Sequence, residues 1–237
     1  MSTEDIRIEP ITNPDDFEGA FEAVANAFGR QTNDAIWIAF NPGWDTPEGA
    51  KAGAQRLADQ FNSITQNRDG KPNTVFVKAT VDNTIAGIAI WHQVSVVEGW
   101  GDAPGDLTKG SFLEDLYPGN KTEQKFLVQA DKSLFSRRRE IIKEKASAEK
   151  PAVFAMDLCA VDPKFQRKGL ARKLVQWGLD EAVRRGDLEC ITEGSSMGRL
   201  VYLQMGFKAD SETVYEMDEE FKDREMPSNV VLRTGEQ

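Results

Sequence analysis

Apolar and charged residues alternate from Ile6 to Ile11, the period of a short half-buried strand. Asn13-Pro14 then sets a capping residue before a proline, a helix-opening pair. Phe17, Phe21, Val24 and Phe28 recur at helical spacing, which predicts an amphipathic helix running to about Gly29. Thr46-Pro47 repeats the start signal before a second apolar stripe at Ala50, Ala54, Leu57, Phe61 and Ile64. The stretch between the two helices, with Trp37 and Trp44, reads as a short helix plus a loop. Val75, Val77, Ala79 and Val81 alternate, Asp82-Asn83-Thr84 supplies turn residues, and Ile85 to Val97 returns as a longer strand, so a hairpin is expected.

From Glu98 to Asn120 glycine and proline punctuate a loop-rich stretch. Lys121 to Ala148 reads as one long helix whose apolar pairs Phe126/Leu127, Leu134/Phe135 and Ile141/Ile142 share a face. Its basic run Arg137-Arg138-Arg139 suits a solvated helix face; the sharper alternative is a surface near an anionic ligand. Pro151 closes that helix. Ala152 to Val161 is a nearly unbroken apolar run interrupted by Asp157, as in a strand covered on both faces. After Asp162-Pro163 come a loop, a helix from Leu170 to Arg185, a strand from Leu188 to Thr192, a helix from Ser196 to Met205 and a strand from Phe207. Acidic residues cluster from Glu212 to Glu225, and Val230 to Leu232 suits a last strand.

The chain has 237 residues, 40% of them hydrophobic, enough for one α/β domain or for one carrying a large insertion. No apolar run approaches the roughly 20 residues that span a bilayer, and Met1 to Glu9 lacks the layout of a signal peptide. Cys159 and Cys190 lie in apolar runs and read as buried free thiols of a reducing compartment, so a cytoplasmic protein without membrane partners is expected. A net charge of -10 disfavours nucleic acid as a partner. It leans towards a cationic substrate, although acidity for solubility alone is the plainer explanation.

The segment that carries chemistry is Gln166-Arg167-Lys168-Gly169-Leu170-Ala171, set between a strand and a helix. A helix amino terminus offers unpaired N–H groups and a positive dipole end to a phosphate. Gly169 permits close approach or a positive φ, Ala171 keeps the first turn clear, and Arg167, Lys168 and Arg172 add positive charge. The loop resembles the pyrophosphate loop of the GNAT acetyltransferases: Gln or Arg, two free positions, Gly, one free position, then Gly or Ala. Leu158-Cys159-Ala160-Val161-Asp162-Pro163 resembles the family's central strand and its exit. Arg199-Leu200-Val201-Tyr202-Leu203-Gln204-Met205-Gly206-Phe207 resembles its tyrosine-bearing helix.

The resemblance implies a single acetyltransferase domain, α/β with a mixed, mostly antiparallel sheet splayed at the cofactor and helices on both faces. It also implies acetyl-CoA as co-substrate, no metal, and direct transfer to an amine in a ternary complex. The segment from about 98 to 150 departs from the family's compact order and is expected to be an insertion shaping the acceptor pocket. By the same resemblance the backbone of Cys159, Ala160 and Val161 pairs with the pantetheine arm, the N–H groups from Arg167 to Ala171 hold the pyrophosphate, and Ser195 contacts the arm from across the splay. Tyr202 is the candidate general acid. Asp157, the one charge inside the apolar run, is the candidate base, with a structural hydrogen-bonding role as its alternative. His92 reads as structural, Glu193 as able to face the cleft, and Glu114, Asp115 and Tyr117 as able to line a pocket. The expected substrate is a small molecule bearing a primary amine. A protein lysine or amino-terminal acetyltransferase, or a non-catalytic CoA-binding module, are the alternatives.

Overall fold

The alternating runs become one seven-stranded sheet in the order β1-β2-β3-β4-β5-β7-β6. The computed structural model describes residues 4–235; Met1 to Thr3 of the polar amino-terminal stretch lie outside them. Strands β1 (Ile6–Pro10), β2 (Thr74–Val81), β3 (Thr84–Val94) and β4 (Val153–Val161) pair antiparallel in succession. Strand β5 (Glu189–Ser195) lies parallel to β4, and β6 (Lys208–Glu212) and β7 (Asn229–Arg233) complete the far side antiparallel. The sheet is mixed and mostly antiparallel, with helices on both faces, as expected.

Period-two alternation sends each strand's side chains to two different cores. One face meets α7 (Leu170–Arg184): Val77, Ala79, Trp91, Phe154 and Met156 pack with Leu174 and Val175. Trp91 stacks on Phe154 with ring centroids 5.2 Å apart, and α7 approaches so closely that a Cβ on Gly178 would lie 1.9 Å from Trp91 Cε2. The other face meets α1 (Asp16–Val24) and α3 (Pro47–Asn62), where Phe17 and Ala58 pack with Phe76, Ile88 and Ile90. Thr46 caps α3 by accepting from Gly49 N at 3.1 Å, with Pro47 at its first turn.

Five local expectations change. Helix α1 opens at Asp16 because Asn13 caps a preceding turn, accepting from Asp15 N. It gives way after Val24 to a π-helical segment, Ala25–Gln31, rather than running on as α-helix to Gly29. The single long helix is two: α5 (Lys121–Leu134) and α6 (Ser136–Glu144), broken at Phe135. The apolar pairs serve different surfaces, which one straight rod does not reach. Phe126 and Leu127 enter a cluster with Phe221 and with Ala39 of α2 (Ala35–Phe40), whereas Ile141 and Ile142 pack on Val153, Ala155 and Ile191 of the sheet. Strand β5 outruns its apolar stretch to Ser195, because β7 pairs with Ile191–Ser195 where the sequence turns polar, and β3 ends at Val94.

Among the described residues no helix is long and apolar enough to cross a membrane. Both cysteines are free, Cys190 buried and Cys159 half-buried.

Replacing Gly178 with Ala forces the new methyl into Trp91, and overpacking of this kind costs about 3 kcal/mol. Urea unfolding should show a lowered midpoint with an unchanged slope. An unmoved midpoint would mean that the α7–sheet contact relaxes freely.

Candidate active site at the fork of the sheet

The parallel pairing of β4 and β5 runs only from Val153–Glu189 to Met156–Thr192. Beyond that point the strands part. Asp157 and Glu193 are the first residues of the two arms. The register between β3 and β4 shifts at the same place: Ile90 faces Leu158 while Trp91 faces Met156, so Asp157 is the extra residue of a bulge. Ala155, Asp157 and Leu158 consequently all point to the face that carries α1 and α6, and Cys159 turns back to the α7 face. Past the bulge, β4 keeps β3 on one side and presents its other edge to the fork.

On the α7 face the loop after β4 has the geometry of an anion cradle. Arg167 (φ 67°) and Gly169 (φ 78°) are both left-handed, and Gly169 begins α7 without a side-chain cap. None of the backbone N–H groups from Arg167 to Arg172 finds an acceptor among the described residues. Open space lies where a Cβ on Gly169 would project. Leu170 anchors the turn in the core. Gln166 fixes the loop from behind: its amide donates to Val161 O at 3.0 Å and exchanges bonds with the Gln31 amide. Asn26 donates to the buried Asp162 at 2.5 Å, so the π-helical segment holds the loop at two points. Lys168 pairs with Glu4 and Arg172 with Gln204 at the surface, contacts weak enough to exchange for a phosphate. Unpaired donors, a dipole end and an open cradle fit the pyrophosphate of a CoA ester.

Helix α8 (Gly198–Leu203) stands beside the same face. Tyr202 is buried, its hydroxyl lies within electrostatic reach of the Cys159 thiol, and a Cβ on Gly198 would lie 2.9 Å from that oxygen. Burial, then the neighbouring thiol, pushes the Tyr202 phenol well above its ordinary pKa, so it keeps its proton. Burial raises the Cys159 thiol to about 12, against the Tyr202 hydroxyl, so it is not a nucleophile at neutral pH. Ala160 and Val161 are buried, and Ala171 packs on the α7-face core. Ser195 ends β5 and accepts from Gly198 N at 3.2 Å, steadying the start of α8.

On the opposite face a row of charges crosses the sheet. His92 Nε2 lies 2.9 Å from Asp102 Oδ2, and His92 Nδ1 lies 3.5 Å from Asp157 Oδ2. Arg138 of α6 bonds to Asp157 through Nη1, to Glu193 through Nη2 and, at 3.0 Å, through Nε, and lies 3.5 Å from Met156 O. The Phe135 ring covers the guanidinium at 4.6 Å. Burial would raise the Asp157 carboxyl, but Arg138 and then His92 outweigh it and hold Asp157 at about 2. In Glu193, burial prevails over Arg138 and raises the carboxyl. Burial would lower the His92 ring, but Asp102 and Asp157 outweigh it and bring His92 to about 9.

Farther out on this face, Asp34 caps α2 by accepting from Trp37 N at 2.9 Å. Burial raises the Asp34 carboxyl, with the α2 backbone donors opposing. Tyr215 donates to Asn229 Oδ1 at 3.0 Å and lies within electrostatic reach of both Asp34 and Glu193. Among the described residues Asp34 has no basic partner.

Arg138 overturns the reading of its basic run as a solvated face: it is 6% exposed. The two flanking arginines are also engaged, Arg137 with Asp210, Glu140 and Glu144, and Arg139 with Asp131. Nor does the run face the phosphate cradle, which lies across the sheet. Arg138 precedes Ile141 and Ile142 by three and four positions, and that spacing was the available signal. Glu114, Asp115 and Tyr117 do not reach the fork. Tyr117 donates to Ala39 O at 2.8 Å, Glu114 binds Lys121 and Gln124, and Asp115 accepts from Ser111. Among the described residues no group of His, Cys, Asp and Glu side chains is arranged to hold a metal ion.

Residues 120–222 match the sequence profile of the acetyltransferase (GNAT) domain. The matched stretch, which spans β4, α7, β5 and α8, carries the family resemblance. The chain's GNAT fold is that of solved structures at low identity. A mosquito arylalkylamine N-acetyltransferase-like 5b is 16% identical over 97% of this chain and 99% of that one, with a TM-score of 0.62. Arylalkylamine N-acetyltransferase 2 from Aedes aegypti is 18% identical over 97% and 98%, with a TM-score of 0.61. An apo agmatine N-acetyltransferase mutant is 12% identical over 97% and 98%, at 0.57. No protein of curated function matches this chain by sequence.

The folded-state pKa of His92, about 9, lies above its ordinary 6.5, so the stability it contributes is complete below about pH 6.5. It is lost as pH rises through about 9. Urea unfolding followed between about pH 6 and pH 10 should show the native protein losing its advantage over a His92→Gln variant in that window. Parallel curves would show that the ring does not carry the charge.

Proposed function

We propose that this protein transfers an acetyl group from acetyl-CoA to the primary amine of a small molecule, by direct attack within a ternary complex. The observation that carries the reading is the two-sided fork. Unpaired N–H donors and the Tyr202 hydroxyl stand on one face, and the carboxylates of Asp157 and Glu193 stand on the other, with Asp34 farther out on that side. An anionic cofactor and a cationic acceptor would meet where β4 and β5 part.

Acetyl-CoA supplies an activated thioester. In this reading the backbone edge of Cys159 to Val161 holds the pantetheine arm, and the N–H groups from Arg167 to Ala171 bind the pyrophosphate, with Arg172 at the rim. The segment from about 98 to 150 is an insertion in the family's plan, and its helix α6 sets Arg138 against the carboxylate face of the fork, which suits a small acceptor better than an extended peptide. Tyr202, kept protonated by burial, donates its proton to the departing sulfur. An ammonium of pKa about 10 must first lose a proton. Asp157, held at about 2 between Arg138 and His92, is a poor acceptor for that proton and fits the structural role instead. Asp34 is the better base, because burial raises its carboxyl and no basic side chain claims it.

Titration calorimetry with acetyl-CoA should show binding by the native protein and severe weakening in a folded Gly169→Trp variant, whose ring fills the cradle. No binding by the native protein would sink the reading. In a thiol-release assay on an amine panel, Tyr202→Phe and Asp34→Asn should each lower kcat by roughly 10²-fold or more while acetyl-CoA affinity stays within a few-fold. Unchanged turnover in either variant would remove the corresponding role.

A further inference from the structure

The Arg138 guanidinium occupies the position that a cationic acceptor would be drawn to. It lies in the crotch of the fork, between the first residues of the two arms, on the face opposite the phosphate cradle. The carboxylates of Asp157 and Glu193 grip it from two sides, the Met156 carbonyl faces it, and the Phe135 ring closes one of its planar surfaces. The side chains of Arg138 and Glu193 are 8% and 4% exposed and that of Asp157 is 28% exposed, so the seat is closed on the Glu193 side and opens to solvent at Asp157. Carboxylates on two sides and an aromatic lid are what a planar guanidinium or a primary ammonium selects. The occupant comes from α6, outside the sheet that supplies the two carboxylates.

We propose that Asp157, Glu193 and Phe135 form a cation seat which Arg138 fills from within the chain, and that this makes Arg138 a specificity-determining residue. It restricts the acceptor to a molecule with one cationic group, the reacting ammonium. With the seat filled, Asp34, which has no basic partner among the described residues, is left to meet the reacting ammonium. A diamine or a guanidinoalkylamine brings a second cation that finds its natural seat taken and a fixed positive charge beside it. The restriction to one cation rests on the proposed N-acetyltransferase reading; the existence of the seat does not.

The test uses the full chain and an Arg138→Ala variant. Ethylguanidinium reproduces the side-chain atoms this substitution removes. Millimolar ethylguanidinium should bind the variant in titration calorimetry and restore its thermal midpoint, while having neither effect on the native protein. Adding Glu193→Gln to Arg138→Ala should abolish both effects. If Arg138→Ala alone does not fold, its refolding only with ethylguanidinium present supports the seat, and an Arg138→Gln variant carries the substrate comparison. In thiol-release assays the native protein should prefer a monoamine, and the Arg138 variant should shift the ratio of kcat/KM for 1,4-diaminobutane over that monoamine by tenfold or more. A variant that binds no ethylguanidinium and gains nothing from it overturns the seat. An unchanged ratio in an active variant overturns the specificity role. A native protein inactive on every amine while ethylguanidinium binds the variant would sink the acetyltransfer reading together with the specificity role and leave the seat standing.

Discussion

The interaction on which the site depends is the buried pairing of Arg138 with Asp157 and Glu193 where the parallel strands part. Two parallel strands that separate in mid-sheet leave an open edge and, here, the buried Glu193 carboxylate beside the more exposed Asp157. Burying such charges costs several kcal/mol each unless they are paired and hydrogen-bonded, and removing one partner from such a pair typically costs about 3–5 kcal/mol. The bulge at Asp157 supplies the geometry. It sets that carboxylate on the same face as Glu193, and α6 brings a guanidinium with enough donors to satisfy both. The position of α6, the break at Phe135 that frees it from the line of α5, and the ring that covers the arginine all serve one arrangement. His92 and Asp102 extend the charge row towards solvent.

The fork then separates two kinds of electrostatics. On the α7 face the field is positive and comes mainly from backbone: left-handed residues at Arg167 and Gly169, a helix start without a side-chain cap, and N–H groups with no internal acceptor. On the other face it comes from side chains, with Asp34, Asp102, Asp157 and Glu193 against Arg138 and the protonated His92. The sheet between them is apolar and tightly packed, as the contact of Gly178 with Trp91 attests. Dense packing keeps the two fields apart, because it leaves little room for motion or water near the junction. Tyr202 lies on the boundary, its ring in the α7-face core and its hydroxyl at Cys159. A proton donor kept neutral by burial is suited to that position.

The features legible in the sequence were those with a local cause. Strands and helices follow from periods of two and 3.6, so β1, the β2–β3 hairpin, α3, β4 and α7 lie where alternation and capping residues indicate. The cradle is also local, since a glycine that must turn left-handed, a helix start and the loop between them occupy consecutive positions, and the resemblance to the GNAT family rests on that stretch together with Leu158 to Pro163 before it and Arg199 to Phe207 after it. What only the tertiary structure decided were relations between distant segments. Glu193 lengthens β5 although it is polar, because β7 arrives to pair with it. The helix from Lys121 breaks at Phe135 because its apolar pairs pack on different surfaces. Arg138 read as one of three solvated arginines because its carboxylate partners lie 19 and 55 residues away in the chain. No periodicity records a pairing at that separation. A buried ion pair is set by where two elements meet, and only the folded chain brings them together.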